Sequence, residues 1–124
     1  MASIIVVSGP NTGDYYPVGK RTIVIGRDES CPVQITDDRA SRKHFQIRLD
    51  DSDGRHHGLD MKSANGTWIN GRRLESDIVL EDHDEITIGS SKVVYYKQDF
   101  TDRESAMSHY KQRGERSRPT IEDR

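Results

Sequence analysis

Cysteine occurs once in the 124 residues, at Cys31, which excludes an internal disulfide framework and fits a reducing compartment. Long apolar runs are missing too, and no stretch nears the roughly 20 residues of a membrane-spanning helix. The opening Ser3-Ile4-Ile5-Val6-Val7 has no basic flank and is cut short by Ser8-Gly9-Pro10, so it does not read as a secretory leader. Neither sign of charge dominates. With 19 Lys and Arg against 21 Asp and Glu, the net charge of −2 gives no global pull toward nucleic acid or an anionic membrane. Hydrophobic residues make up only 31% of the chain against 32% charged, and the shortage is concentrated after Gln98. There, Phe100, Ala106, Met107, Tyr110 and Ile121 are the only apolar side chains, so the packed core must lie upstream. One cytoplasmic domain is the expectation.

What is present before residue 98 is a series of short β-branched runs separated by turn residues, with no useful helical period. Ile4–Val7 ends at Gly9-Pro10-Asn11, and Arg21–Ile25 ends at Gly26. His44–Leu49 alternates, placing Phe45, Ile47 and Leu49 on one face and His44, Gln46 and Arg48 on the other. Thr67-Trp68-Ile69 leads into Asn70-Gly71, a strong hairpin signal because both residues tolerate positive φ. Ten or eleven strands at eight-to-twelve-residue spacing favour an all-β sandwich, mostly antiparallel. The remaining segment, 99–124, is polar. Thr101 and Glu104 have the spacing of a capping box, and Gly114 sits where a helix could stop. The pattern predicts a short helix over about 102–113, then a disordered charged tail.

Three turns carry the chemistry. Gly26-Arg27, Ser41-Arg42-Lys43-His44 and Asn65-Gly66-Thr67 place a cationic fork, a hydroxyl and an amide on separate loops that a sandwich can gather at one edge. Such groups suit a phosphate ester on an extended peptide. Gly26-Arg27, Ser41-x-x-His44 and Asn65-Gly66 resemble, in order and context, the signature of the forkhead-associated (FHA) domain, over about residues 3–97. Members of that family recognise phosphothreonine peptides. The resemblance implies an FHA-like domain over residues 1–98 with named roles. Arg27, Ser41 and Arg42 would contact phosphate, and Asn65 would grip peptide backbone. Gly26 and Gly66 would allow tight turns, His44 and Thr67 would be structural, and Lys43 would add to the local field. Ala64 departs from the pattern, because the family commonly carries Ser or Thr there.

The implied partner is a phosphothreonine-containing protein, with adaptor work in Ser/Thr kinase signalling and neither catalysis nor cofactor. The alternative is an FHA-like scaffold making phosphate-independent contacts. Ser41 and His44 have no carboxylate at a recognisable third position, so a hydrolase is disfavoured. His56-His57 reads as a solvated hairpin without further metal ligands. Trp68 reads as a sandwich residue, and Cys31 as a small packing residue. Thr120, in Arg-Pro-Thr-Ile-Glu-Asp, is a conceivable self-binding segment if phosphorylated.

Overall fold

The computed structural model describes residues 2–122, with the side chains of the C-terminal helix described as far as Gln112. Eleven strands follow one another: β1 (Ser3–Ser8), β2 (Tyr15–Pro17), β3 (Ile23–Gly26), β4 (Val33–Gln34), β5 (Phe45–Asp50), β6 (Arg55–Asp60), β7 (Thr67–Ile69), β8 (Arg72–Arg73), β9 (Ile78–Val79), β10 (Asp84–Ile88) and β11 (Ser91–Tyr96). They form a six-stranded sheet ordered β2-β1-β11-β10-β7-β8 and a five-stranded sheet ordered β4-β3-β5-β6-β9. The β3–β4 pair is parallel and the other described pairs are antiparallel.

Period-two alternation explains how the sheets close on each other. Ile23 and Ile25 of β3, Phe45 and Ile47 of β5, and Ile86 and Ile88 of β10 are all fully buried in one core with Ile4, Val6 and Val93. Gly58 of β6 lies beneath the Phe45 ring, where a Cβ would sit 2.5 Å from the ring's Cζ. The β7–β8 hairpin turns at Asn70 and Gly71, at φ of 52° and 85°, the paired positive values its sequence calls for.

β1 and β11 are covered on both sides. Their second faces, Ile5, Val94 and Tyr96, pack under Ala106 of a helix, α1 (Arg103–Glu122), with Phe100, Met107 and Tyr110 around the contact. Tyr15 anchors the approach to the helix, since its hydroxyl accepts from the Phe100 N–H at 2.9 Å. The thin stripe of Ala106, Met107 and Tyr110 is therefore enough to dock the helix, although it could not stabilise one alone.

The helix differs from its sequence reading at both ends. Its cap is Asp102, whose Oδ1 accepts from Ser105 N at 2.9 Å, one residue later than Thr101. A carboxylate there both caps and meets the positive end of the helix dipole. α1 also runs to Glu122 rather than stopping near 113, so Gly114 lies inside it and the stretch expected to be a disordered tail is largely helical. A glycine weakens a helix by about 1 kcal/mol; it ends one only where the backbone turns left-handed. The side chain of Thr120 lies outside the described residues.

Replacing Phe45 by Ala should lower stability by about 3–5 kcal/mol, because the cavity left between the sheets cannot collapse fully. Urea denaturation followed by circular dichroism measures the difference.

Candidate functional site: a rim built from three loops

The loops after β3, before β5 and before β7 meet at one end of the sandwich. Gly26 is what lets the first two touch: a Cβ there would stand 2.2 Å from the Arg42 carbonyl oxygen. Across this close approach, Arg27 N donates to Ser41 O at 2.9 Å and Asp28 N to Arg42 O at 3.2 Å. Arg27 Nε donates to Ala40 O at 2.9 Å, which lays the guanidinium along the Ala40–Ser41 peptide. Among the described residues its two terminal nitrogens have no partner, so both face outward as donors.

His44 ties the second loop to the third. It is fully buried; its Nδ1 accepts from Ser41 N at 2.9 Å, and its Nε2 bonds Gly66 O at 2.8 Å. Because Nδ1 accepts, the proton must sit on Nε2 and be donated to the carbonyl. Burial lowers the His44 pKa below the usual imidazole range. The Ser41 hydroxyl oxygen in turn accepts from Ala64 N at 2.9 Å. That contact leaves the hydroxyl proton free to donate outward, and His44 has no lone pair left to activate it. With that lone pair given to the Ser41 N–H, His44 is not placed to act as a base toward the Ser41 hydroxyl.

The third loop rests on an acid that sequence reading missed. Asp60 accepts from Ser63 N at 3.0 Å, Ser63 Oγ at 2.6 Å and Thr67 Oγ1 at 2.7 Å. Burial would raise this carboxyl, but the bonds from Ser63 and Thr67 outweigh it and hold its pKa below the ordinary value. Ser63 Oγ also accepts from Gly66 N at 3.0 Å. With its single proton given to Asp60, Ser63 cannot supply the hydroxyl that Ala64 lacks. Gly66 takes a φ of 87°, open to glycine without strain. Asn65 Nδ2 donates to Arg39 O at 2.9 Å, bridging loops while Oδ1 stays without a partner among the described residues.

A second acid, Asp37, is buried and braces the rim from below. Its Oδ2 accepts from Ser90 N and Ser91 Oγ, both at 2.8 Å, and its Oδ1 from Arg39 N at 2.9 Å. The sequence signal for both acids is the same: an Asp whose side chain reaches a backbone N–H two or three residues on.

The remaining cations are looser. Arg42 is 77% exposed and leans on Asp28 at 3.6 Å, a pair too solvated to hold it firmly. Lys43 is exposed beside it. Cys31 is buried, with Sγ donating to Arg42 O at 3.2 Å and its thiol pKa pushed up by burial. It therefore packs and does not present a thiolate. Trp68 is half-buried on the outer face of β7, beneath the Arg73 guanidinium at 5.5 Å from its ring.

His57 requires a correction. Rather than standing in a solvated loop, it bonds Asp53 Oδ2 at 2.8 Å and Asp77 Oδ1 at 2.7 Å, with Asp50 Oδ2 at 3.8 Å. The hairpin register, pairing Arg48 with His57 and Asp50 with Arg55, brings these groups together. Hydrogen bonds to Asp77 and then Asp53 raise the His57 pKa.

The family model for the FHA domain matches residues 23–89, from β3 to the turn after β10, and so spans all three loops. The chain belongs to the FHA domain family. Among curated relatives, glycogen accumulation regulator GarA of Mycolicibacterium smegmatis is 32% identical over 94 residues, covering 76% of this chain and 58% of GarA. Serine/threonine-protein kinase RAD53 of Saccharomyces cerevisiae is 41% identical over 73 residues, 56% of this chain but 9% of the kinase. The chain thus spans a little over half of GarA and a small part of the kinase. Among solved structures, the N-terminal FHA domain of S. cerevisiae RAD53P in complex with a phosphothreonine peptide superposes with a TM-score of 0.69 at 28% identity, covering 79% of this chain and 94% of that one. The FHA domain of an Arabidopsis thaliana hypothetical protein reaches 0.73 at 27% identity, with coverages of 82% and 88%. In this FHA domain no described helix is long and apolar enough to cross a membrane.

The His44 bridge makes the rim sensitive to acid. Folded His44 is held neutral, whereas the unfolded imidazole gains a proton below about 6.5. The stability that rests on it is therefore complete above that pH and is lost as pH falls through it. His44→Ala should cost about 2–4 kcal/mol near neutrality, from two lost hydrogen bonds and a cavity. It should also lose less stability than the wild type between neutral and mildly acidic buffer. Urea titrations at a series of pH values check both the cost and its slope.

Proposed function

We infer that this FHA domain binds phosphothreonine in extended peptides and serves as an adaptor in Ser/Thr kinase signalling. The observation that carries the reading is the state of three side chains at one rim. Arg27 keeps both terminal nitrogens free, Ser41 keeps its hydroxyl proton free, and Asn65 keeps its carbonyl oxygen free, each on a loop fixed by other bonds. Donors held in place lose little side-chain entropy when an anion arrives. The phosphate takes charge-assisted bonds from Arg27 and Ser41, with Arg42 and Lys43 adding charge at the edge, and the Asn65 amide pairs with peptide backbone. Gly26, His44, Gly66 and Thr67 hold these groups and do not touch the ligand.

The missing hydroxyl at Ala64 removes one donor, worth roughly 1.5–3 kcal/mol for a bond to a charged group, so the domain is expected to bind more weakly than one carrying Ser or Thr there. The binding unit is taken as residues 1–98, with the helical segment appended. Recognition without chemistry follows from the way His44 is consumed in holding loops. A cytoplasmic setting suits Cys31, buried and free.

Arg27→Ala should weaken binding of a phosphothreonine peptide at least tenfold, about 1.4 kcal/mol or more, with an unchanged circular dichroism spectrum. Calorimetric titration of matched phosphorylated and unphosphorylated peptides tests it. Equal affinity for the two forms would instead favour a scaffold that contacts partners without phosphate.

A further inference from the structure

Arg73 is not part of the three-loop signature, yet its guanidinium lies against the recognition rim. A Cβ built on Gly66 would stand 3.1 Å from both its Cζ and its Nη2, so the glycine leaves the space that this side chain fills. Cross-strand pairing of Trp68 with Arg73 puts both on the outer face of the sheet, and the guanidinium carbon sits 5.5 Å from the indole ring centroid. Trp68 thereby braces a long side chain that would otherwise sample many rotamers. Among the described residues no carboxylate pairs with it, although five other arginine or lysine to carboxylate pairs are made. A braced, unpaired guanidinium next to Asn65-Gly66 stands beside the path of any peptide that Asn65 holds.

We propose that Arg73 is a specificity-determining residue that reads a carboxylate on the bound phosphopeptide, at one position on the side that passes over Gly66. This rests on the phosphothreonine reading above and adds a second anion site to it. The site is local. The cleft of about 490 Å³ that Arg72 and Arg73 border mixes apolar and polar side chains, but its other charged groups are all acidic, Glu75, Asp77, Glu81 and Asp84, so an acidic residue placed further along meets like charge. Arg72, which pairs with Ile69 and not with Trp68, belongs to the other face of β8 and serves as the control for net charge.

The experiment is calorimetric titration of wild type, Arg73→Ala and Arg72→Ala with phosphothreonine peptides in which Asp or Asn is placed at each position flanking the phosphorylated residue. At one position the wild type should prefer Asp over Asn by about threefold to fivefold, as an exposed ion pair allows. Arg73→Ala should abolish that preference while keeping affinity for the Asn peptides, and Arg72→Ala should retain it. Loss of Trp68 quenching or a shift in its emission in Arg73→Ala reports that the stack existed in solution. A preference for Asp that survives in Arg73→Ala, one lost equally in both variants, or none at any position overturns the assignment, while leaving phosphothreonine binding standing. If no phosphopeptide binds the wild type, both readings fall together.

Discussion

The recognition end of this domain depends on one imidazole. His44 accepts from the Ser41 backbone with one nitrogen and donates to the Gly66 carbonyl with the other, so two loops distant in sequence are fixed by a single buried ring. Both ring nitrogens are committed to backbone, and that commitment decides the chemistry. An imidazole with a spare lone pair beside a serine is the beginning of a hydrolase; here the lone pair belongs to an amide N–H. The Ser41 hydroxyl therefore has no base beside it to take its proton.

Around that ring the loops are held by two acids, Asp37 and Asp60. Asp37 and Asp60 each gather backbone and hydroxyl donors, which turns irregular loops into structures with few unsatisfied groups. Loop order is the physical precondition for binding here. The donors proposed to meet phosphate are few, and each is worth little unless it is already in place. The Gly26 contact with Arg42 adds a steric condition, since the first two loops could not lie this close with any side chain between them.

Arg73 extends the same logic outward. It is positioned by stacking on Trp68 and by the absence of a side chain at Gly66, not by an ion pair, so its charge remains available. Glycine at position 66 therefore serves two ends at once, allowing the left-handed turn after Asn65 and admitting a guanidinium from the neighbouring strand.

The sandwich was legible in the sequence because period-two alternation and turn residues are local signals. The apolar faces of β3, β5 and β10 and the Asn70-Gly71 hairpin could be read without knowing what they pack against. Arg27, Ser41 and Asn65 could be singled out for a similar reason, since each sits at a marked turn beside a strand. The helix boundaries were misread because Thr101 and Asp102 are both good caps, and only docking on Ile5, Val94 and Tyr96 selects the register. His57 looked solitary because its partners come from across a hairpin and from a loop 20 residues on. The chain by itself determined the strands and the kinds of donor at their ends. Tertiary structure alone decided which donors stay free, because a hydrogen bond's second partner lies wherever the fold brings it and leaves no periodic trace in the sequence.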